Sequence, residues 1–332
     1  MTEAIVAILG ISLLLYVLLG GADFGAGIVE MIVGKKSSRI VSKAIAPVWE
    51  ANHIWLILAV VILFNGFPLA YTTITTYLHI PLLLALIGII IRGAAFSFRY
   101  YDVLEGNVQN YYSWSFRLSS LMTPFFLGMV LGAVILGRIP VNPSGSFIDI
   151  FISPWLNGFA ISTGVFMILL FGWIASVYLI GESDEESFPV FRRTSLILFI
   201  ALILCGGVVF LMARRWGVHL FSGFLHSAIS ISCVVLATLL VPVMWISINR
   251  KKALLTRIVA GATTACILVG WFAVQFPVLV NRRNGEHLTV WNTQAPAVTM
   301  YYLLAALIVG IFIIFPAFGY LFRIFKFSRE ST

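Results

Sequence analysis

Long apolar runs, separated by short polar connectors, follow one another along the whole chain. Nine of them approach the roughly 20 residues that a helix needs to cross the hydrocarbon core of a bilayer. They lie at about 4–33, 48–66, 72–98, 117–137, 156–180, 194–213, 222–248, 255–280 and 297–322. Within each run the apolar residues are continuous and lack the period-two alternation of membrane barrels. The pattern therefore predicts an all-α polytopic membrane protein with nine transmembrane helices.

The composition supports this interpretation and gives the positive charge a different meaning. Hydrophobic residues make up 61% of the 332 residues and charged residues 10%, whereas soluble domains have about 45–50% and about 25%. A net charge of +8 would indicate nucleic acid or an acidic partner in a soluble protein. In a membrane protein basic residues report topology instead, so we expect no nucleic-acid partner. The cysteines, Cys205, Cys233 and Cys266, stand singly in apolar runs and are interpreted as core residues.

Basic residues are distributed unevenly between alternate connectors. One set of connectors holds five of them, namely Arg138, Arg214, Arg215, Arg282 and Arg283. The other set, here called the basic connectors, holds fifteen: Lys35, Lys36, Arg39, Lys43, Arg99, Arg117, Arg192, Arg193, Arg250, Lys251, Lys252, Arg257, Arg323, Lys326 and Arg329. Because Lys and Arg collect on the cytoplasmic side of membrane proteins, the basic connectors are expected in the cytoplasm. The N-terminus then lies outside and the C-terminus is cytoplasmic.

The connector "GRIPVNPSGSFIDIFISPW" divides the predicted helices into four, four and one. This spacing predicts two four-helix bundles and one peripheral helix. The expected units are a first bundle over 1–140, an outer connector over 141–155, a second bundle over 156–280, an outer loop over 281–296, and the peripheral ninth helix with its tail over 297–332. The acidic connector Gly181–Pro189 is expected to be a solvated turn, with a regulatory segment as the alternative.

Four ionisable residues lie inside the predicted spans, where a charge is costly and is therefore a functional candidate. They are Asp23 in "GGADFGAG", Glu30, Glu50 in "APVWEANHIW", and Arg92. Asp23 and Glu30 are seven residues apart, as are Arg92 and Arg99, so each pair shares a helix face. The topology places Asp23 and Glu50 in the cytoplasmic halves of neighbouring helices. A close approach of another helix is expected along the stripe of Gly20, Gly27 and Gly34.

Each of these residues has a functional and a structural interpretation. Stacked carboxylates at the cytoplasmic side suit proton uptake, because desolvation lets a carboxyl hold and release a proton near neutral pH. Asp23 could equally form a buried ion pair with Arg92, and the sequence leaves both alternatives open. Glu50 could instead extend from a helix end to water. His53 is expected to be a hydrogen-bond partner of Glu50, and Glu30 an interfacial anchor near the following lysines.

The histidines argue against a haem bound by this chain. A bis-histidine site needs two histidines at the same depth on facing helices. His53 lies near the cytoplasmic end of its span, and His219 and His287 lie in outer connectors. Only His79 and His226 match roughly in depth. Signatures of nucleotide, phosphate-loop and zinc sites are also absent from the sequence, so no metal site is expected.

The first hundred residues resemble subunit II of the cytochrome bd quinol oxidases. The resemblance rests on "GGADFGAG" at the end of the first span, a basic connector, "APVWEANHIWLI", and "IIRGAAFSFRYY" at the end of the third span. The chain length, nine spans and outside N-terminus also fit. Beyond this region only the hydropathy layout is similar. Many family members carry a further aspartate where this chain has Gly20.

The resemblance implies a subunit of an electrogenic enzyme in a bacterial or archaeal cell membrane. It implies a haem-free chain paired as a heterodimer with subunit I, which carries two b-type haems, haem d and the quinol site. Such a complex oxidises quinol, reduces oxygen to water and takes protons from the cytoplasm. Glu50 and Asp23 stand at acidic positions of the family and are assigned to a proton path, with His53, Arg92 and Arg99 in support. Membrane lipid and a small single-span accessory subunit are the further partners considered.

A second interpretation comes from a different class of protein. Two four-helix units that rock against each other, with Asp23 binding an ion or a proton, would make a secondary transporter. Breaks at corresponding positions of the two halves would favour that interpretation. The stretch "GGADFGAG" is one candidate break, but the corresponding "LNGFAISTG" lacks an acidic residue. The sequence therefore favours the oxidase subunit.

Overall fold

The structure is a computed structural model that describes residues 1–34, 37–45, 51–101, 107–141, 143, 145–218 and 220–326. The helices are α1 (Thr2–Leu15), α2 (Gly21–Val33), α3 (Ser38–Ile45), α4 (Ile54–Gly66), α5 (Pro68–Tyr77), α6 (His79–Tyr101), α7 (Asn107–Leu136), α8 (Phe147–Phe151), α9 (Gly158–Ile180), α10 (Phe188–Arg215), α11 (Leu220–His226), α12 (Ala228–Asn249), α13 (Ala253–Gln275) and α14 (Ala297–Lys326). Short strands are β1 (Ile139–Pro140), β2 (Val278–Val280), β3 (Arg282–Arg283) and β4 (Leu288–Thr289). The chain is thus an all-α polytopic membrane protein.

Eight helices in the described ranges are long and apolar enough to cross a bilayer. The first of them is continuous from Thr2 to Val33, because a π-helical turn joins α1 to α2. The second span expected from the sequence, over about 48–66, corresponds to α4, which is bent by 115° relative to the following helix α5. At about 1.5 Å per residue, α4 alone covers about 20 Å, less than the roughly 30 Å of a hydrocarbon core. The count is therefore eight, or nine if the bent pair forms one span.

The bend between α4 and α5 has a local cause. Pro68 is the first residue of α5, where its missing N–H needs no helical partner. The residue before a proline is driven out of the helical region, and Phe67 adopts φ −134° and ψ 60°. The expected span over 72–98 therefore begins later, at His79, because α5 takes up the residues before it.

The fourth predicted span begins earlier than its hydropathy suggested. Helix α7 starts at Asn107 rather than near residue 117. Its first turns contain Tyr111, Tyr112 and Trp114, which suit a membrane interface but lower the apolar signal. The assignment of Arg117 to a connector was therefore wrong. This residue is buried within the membrane-spanning part of α7.

Alternate connectors meet at opposite ends of the helices, as the charge pattern requires. At one end Arg257 Nη2 of α13 donates to the carbonyl oxygen of Tyr178 (3.1 Å) and to Glu182 Oε1 (2.9 Å). At the other end β1 pairs in parallel with β3, and Thr2 Oγ1 donates to Gln294 Oε1 (2.8 Å). The side of the membrane on which each end lies stays a prediction, as does the division into two four-helix units.

The acidic connector Gly181–Pro189 is solvated, as expected, but it also binds basic side chains. Glu185 is 95% exposed and lies 3.3 Å from Lys251 Nζ. Glu182 is paired with Arg257. The connector after α9 is therefore held to the start of α13 by two ion pairs.

Glycines let α2 pack closely between α7 and α9. A Cβ at Gly25 would collide with the carbonyl oxygen of Phe171 in α9, and one at Gly27 would collide with Ser120 Oγ in α7. Small residues of this kind bring membrane helices into backbone contact. The predicted stripe was wrong at its two ends. Among the described residues, a Cβ at Gly20 would meet only the ring of Tyr16. Gly34, with φ +89°, ends α2, and a Cβ there would meet none of the described residues.

Candidate functional site

The first span changes its helical register just before Asp23. Residues Tyr16–Gly20 form a π-helical turn, and regular α-helix resumes at Gly21. Such a turn adds one residue, so it rotates the following side chains relative to the preceding ones, and it often occurs at functional sites. After it, the side chain of Asp23 is only 1% exposed. The π turn is thus the local feature that precedes and orients the buried carboxylate.

Asp23 forms a buried ion pair with Arg92 of α6. Arg92 Nη2 lies 2.5 Å from Asp23 Oδ1, and it also donates to the carbonyl oxygen of Asp23 at 3.0 Å. The guanidinium carbon lies 4.6 Å from the centroid of the Phe24 ring and 5.2 Å from that of Phe116. The structure therefore contains the ion pair that the sequence left as one of two alternatives. A relay role for Asp23 stays a prediction.

Several buried polar atoms of this ion pair and of its surroundings have no hydrogen-bond partner among the described residues. Among the described residues, Asp23 Oδ2, Tyr16 Oη, Asn52 Oδ1 and the Nε and Nη1 atoms of Arg92 have no hydrogen-bond partner. Buried polar atoms of this kind are usually satisfied by ordered water. A carboxylate with one oxygen on a guanidinium and one oxygen free can accept a proton without first breaking the ion pair. The geometry is therefore compatible with proton transfer at Oδ2.

A second buried cluster surrounds Glu30. Arg99 Nη1 donates to both carboxylate oxygens at 2.9 Å, and Arg117 Nε donates to Oε1 at 3.1 Å. Arg99 Nη2 also donates to Ser42 Oγ of α3 at 2.9 Å. The side chain of Glu30 has no exposed surface, so its interpretation as an interfacial anchor was wrong. Its described partners are two arginines, one from α6 and one from α7; Lys35 and Lys36 lie outside the described residues.

The sequence contained a signal for this second cluster. Asp23 and Glu30 are seven residues apart in the first span, and Arg92 and Arg99 are seven apart in α6. Both spans run in the same direction, so one pairing at Asp23 and Arg92 brings the other two residues together as well. Each contact joins residues 69 apart in sequence. Arg99 is thus paired with Glu30, and its supporting role in a proton path stays a prediction.

The ring of Phe116 lies between the two clusters. The guanidinium of Arg92 is 5.2 Å from its centroid and that of Arg99 is 4.3 Å away. A cation near an aromatic face is attracted by the ring quadrupole. Phe116 is fully buried, and it separates the two arginines, which repel each other. Together the clusters hold three guanidinium groups and two carboxylates.

The second span contributes its N-terminal residues to the same region. Asn52 Nδ2 donates to the carbonyl oxygen of Leu19, a residue of the π turn, at 3.3 Å. The ring of His53 meets the ring of Phe24 edge-on, with 5.9 Å between centroids. Both side chains therefore lie next to the helix that carries Asp23. Glu50 lies outside the described residues, so its predicted bond to His53 and its role stay predictions.

The two histidines that matched in depth each donate a hydrogen bond to a nearby backbone carbonyl. His79 Nδ1 donates to the carbonyl oxygen of Thr76 (2.8 Å), and His226 Nδ1 donates to that of Ser222 (2.7 Å). The ring of His79 also packs against Phe151. No group of three His, Cys, Asp or Glu side chains within the described ranges could hold a metal ion.

Comparison with known proteins gives a consistent family. Residues 1–325 match the family described as cytochrome bd terminal oxidase subunit II. The chain is 22% identical to cytochrome bd-I ubiquinol oxidase subunit 2 of Escherichia coli strain K12, over 98% of this chain and 94% of that one. It is 26% identical to cytochrome bd ubiquinol oxidase subunit 2 of Bacillus subtilis strain 168, over 83% and 81%. A putative cytochrome bd menaquinol oxidase subunit II of the same organism is 24% identical over 99% and 97%.

A solved structure has the same fold. The bd oxidase from Geobacillus thermodenitrificans contains a chain that superposes with a TM-score of 0.80. The match covers 98% of both chains at 21% sequence identity. At that identity the likeness establishes the fold alone.

Proposed function

Because this chain belongs to the cytochrome bd terminal oxidase subunit II family, we propose that it is the haem-free subunit II of a quinol:oxygen oxidoreductase. In this proposal it stabilises a haem-bearing subunit I, which holds two b-type haems and haem d. It also contributes to proton uptake from the cytoplasm. Family membership makes the chain a subunit of a respiratory oxidase. Its apolar helices and its bacterial relatives indicate a multi-pass protein of a bacterial membrane.

The observation that carries the proton role is the buried Asp23–Arg92 pair with its free carboxylate oxygen. Reducing one O₂ to two H₂O consumes four electrons and four protons, and the quinols supply the electrons. Ionisable residues inside a membrane protein commonly mark proton relays. A proton arriving at Asp23 Oδ2 would neutralise the carboxylate. Arg92 would keep its bond to the carbonyl oxygen of Asp23, which does not depend on the side-chain charge.

A role in stabilising the complex is supported by the second cluster. Glu30, Arg99 and Arg117 join the first span to α6 and α7, and Ser42 adds α3. Separating a buried ion from its partner is costly, so these ion pairs hold the four helices in their relative positions. A rigid bundle of this kind is what a partner subunit needs for docking. The partner itself, the accessory subunit and bound lipid remain predictions.

The transporter alternative gains no support from the helix geometry. A break at matching positions in both halves was its distinguishing feature. The first span has a π turn at Tyr16–Gly20, but the corresponding helix of the second half, α9, is regular from Gly158 to Ile180. The oxidase role is therefore the better supported proposal.

Haem content tests the proposal directly. The chain is purified alone and together with its natural partner, and reduced-minus-oxidised spectra are recorded for both. We expect haem signals only from the complex, because His79 and His226, the pair that matched in depth, are each hydrogen-bonded to a backbone carbonyl. Stoichiometric haem on the isolated chain, lost in His79→Ala or His226→Ala, would contradict the haem-free assignment.

A further inference from the structure

A recess of about 260 Å³ lies at the end of the helices opposite the basic connectors. Its described lining consists of Arg138, which follows α7, and of Arg215 and Trp216 at the end of α10. The guanidinium carbon of Arg138 lies 4.3 Å from the centroid of the Trp216 ring. None of these residues takes part in the two buried clusters or in the proposed proton uptake. The recess therefore combines two positive charges with an aromatic wall.

The aromatic wall is held in place by contacts with a third helix. Gly158 begins α9, and a Cβ at that position would lie 3.3 Å from Trp216 Nε1. The Trp216 ring also packs against an apolar cluster at this end of the helices, which includes Leu136 of α7 and Ala213 of α10. A cation is attracted to an aromatic face, so a fixed Trp216 ring restrains the Arg138 guanidinium. Packing of three helices thus positions the recess.

The carbonyl groups at the ends of these two helices have other partners. The last carbonyls of a helix lack intrahelical partners, and a nearby arginine can bind them. At the end of α7, the carbonyl oxygen of Ile135 accepts from Asn281 Nδ2 at 2.9 Å. At the end of α10, the carbonyl oxygen of Ala213 accepts from the N–H of Val218 at 2.8 Å. Helix capping therefore does not account for the two arginines of the recess.

The charge of the recess is not balanced by the described carboxylates. Within the described ranges, neither Arg138 nor Arg215 forms an ion pair. Asp149, an acid in the connector that follows Arg138, instead accepts from Ser146 Oγ at 2.7 Å. Two like charges that line one recess repel each other, and an anion between them removes that repulsion. The recess is therefore suited to an anionic ligand.

An exposed apolar stripe of α10 leads to the recess. It consists of Leu204, Val208 and Leu211, which are 67%, 44% and 65% exposed. Their spacing of four and three residues continues to Arg215 on the same helix face. Tryptophans such as Trp216 commonly lie at the level of the lipid headgroups. A ligand that fits both the stripe and the recess has apolar chains and an anionic head.

We propose that Arg138, Arg215 and Trp216 bind the phosphate group of an anionic phospholipid, whose acyl chains lie along the stripe of α10. Guanidinium groups match phosphate oxygens in charge and in geometry. The two arginines donate to the phosphate oxygens, and Trp216 holds Arg138 in position. The ammonium group of a zwitterionic headgroup would be repelled by the same arginines. Lipid binding at this site does not depend on the proposed proton uptake.

Binding is tested on the assembled complex in phosphatidylcholine vesicles that contain a trace of phosphatidylglycerol with a photoreactive acyl chain. After illumination, the lipid adduct on residues 197–213 of α10 is quantified by peptide mass spectrometry. In the variant Arg138→Gln, Arg215→Gln we expect the adduct to fall about tenfold, as the loss of hydrogen bonds to a charged group implies. Each single variant should show a smaller loss and serves if the double variant does not assemble. An unchanged adduct in these variants would overturn the proposal.

The matched control is Arg214→Gln. Arg214 is the neighbouring exposed arginine of α10 and is not part of the described lining of the recess. This variant should keep the full adduct, because it loses the same charge outside the site. An equal loss in Arg214→Gln would mean that any positive charge at this end attracts the lipid, and it would overturn a specific site.

Two further measurements identify the ligand. A photoreactive phosphatidylcholine should label α10 weakly and equally in all variants, because its headgroup has no net charge. Inorganic phosphate in excess should not reduce the phosphatidylglycerol adduct, because free phosphate gains nothing from the apolar stripe. Equal labelling by the two lipids would show that the site does not select an anionic head. Competition by phosphate would make free phosphate the ligand, and either result would overturn the proposal.

Discussion

The Asp23–Arg92 pair gives the sharpest test of how this subunit works. Asp23→Asn keeps the shape and an acceptor oxygen but removes the negative charge. Breaking a buried ion pair by losing one partner costs about 3–5 kcal/mol. Arg92 would retain its bond to the backbone carbonyl and its contacts with Phe24 and Phe116. We therefore expect the lower end of that range, about 3 kcal/mol of complex stability.

The second change is Arg92→Gln, made alone and together with Asp23→Asn. Alone it strands the Asp23 carboxylate and is expected to destabilise by a similar amount. In the double variant no buried charge remains at the pair, so we expect most of the stability to return. The sum of the single effects would then exceed the double effect, which is the signature of direct coupling.

Stability and turnover are measured on the same preparations. Assembly is followed by haem content after purification and by the midpoint of thermal loss of that haem, and turnover by oxygen consumption with quinol. Asp184→Asn in the solvated acidic connector is the matched control for the substitution itself. A relay at Asp23 predicts that the double variant assembles but stays slow. Recovery of both assembly and turnover would make Asp23 a structural residue, and additive single effects would refute the coupling.

Three further predictions concern other parts of the chain. Glu50→Gln should slow oxygen reduction in the assembled complex while Glu50→Asp retains most of it, and normal turnover of Glu50→Gln would make it a structural residue. A reporter of cytoplasmic location fused after Lys36 should be active, because Lys and Arg collect on that side; activity only of an external reporter would reverse the topology. Gly25→Val should prevent assembly, because its Cβ would collide with the carbonyl oxygen of Phe171. The control Gly10→Val should assemble, because no described atom lies within 4 Å of its Cβ position. A stable Gly25→Val complex would refute the close packing of α2 and α9.

The helices and their polar residues could be predicted from the sequence because the bilayer imposes their length and composition. The fold class, most spans and the candidates Asp23 and Arg92 follow from that constraint alone. The early start of α7 was missed because interfacial aromatics weaken the apolar signal. The separation of α5 was missed although Pro68 marked the break. In both cases hydropathy was given more weight than local backbone chemistry.

Helix neighbours were harder to predict than helices. In a membrane the surfaces facing lipid and protein are equally apolar, so hydrophobicity does not identify contacts. Gly25 packs against α9, whereas a Cβ at Gly20 or Gly34 would touch no other helix in the part of the chain that the structure describes. Because apolar patterns do not identify contacts, Glu30 was expected to lie near the lysines that follow it, and its contacts with Arg99 and Arg117 were not predicted. Only the shared seven-residue spacing of the acids and arginines indicated the true partners.

The net charge of the two clusters on either side of Phe116 affects when Asp23 can be protonated. Three guanidinium groups and two carboxylates give the described side chains a net charge of +1 when Asp23 is ionised. A proton on Asp23 would raise this to +2 in a region of low dielectric, where like charges repel strongly. Such a state is relieved when negative charge appears nearby. If Asp23 carries protons as proposed, electroneutrality would favour its protonation when negative charge, such as an electron on the proposed partner subunit, lies nearby.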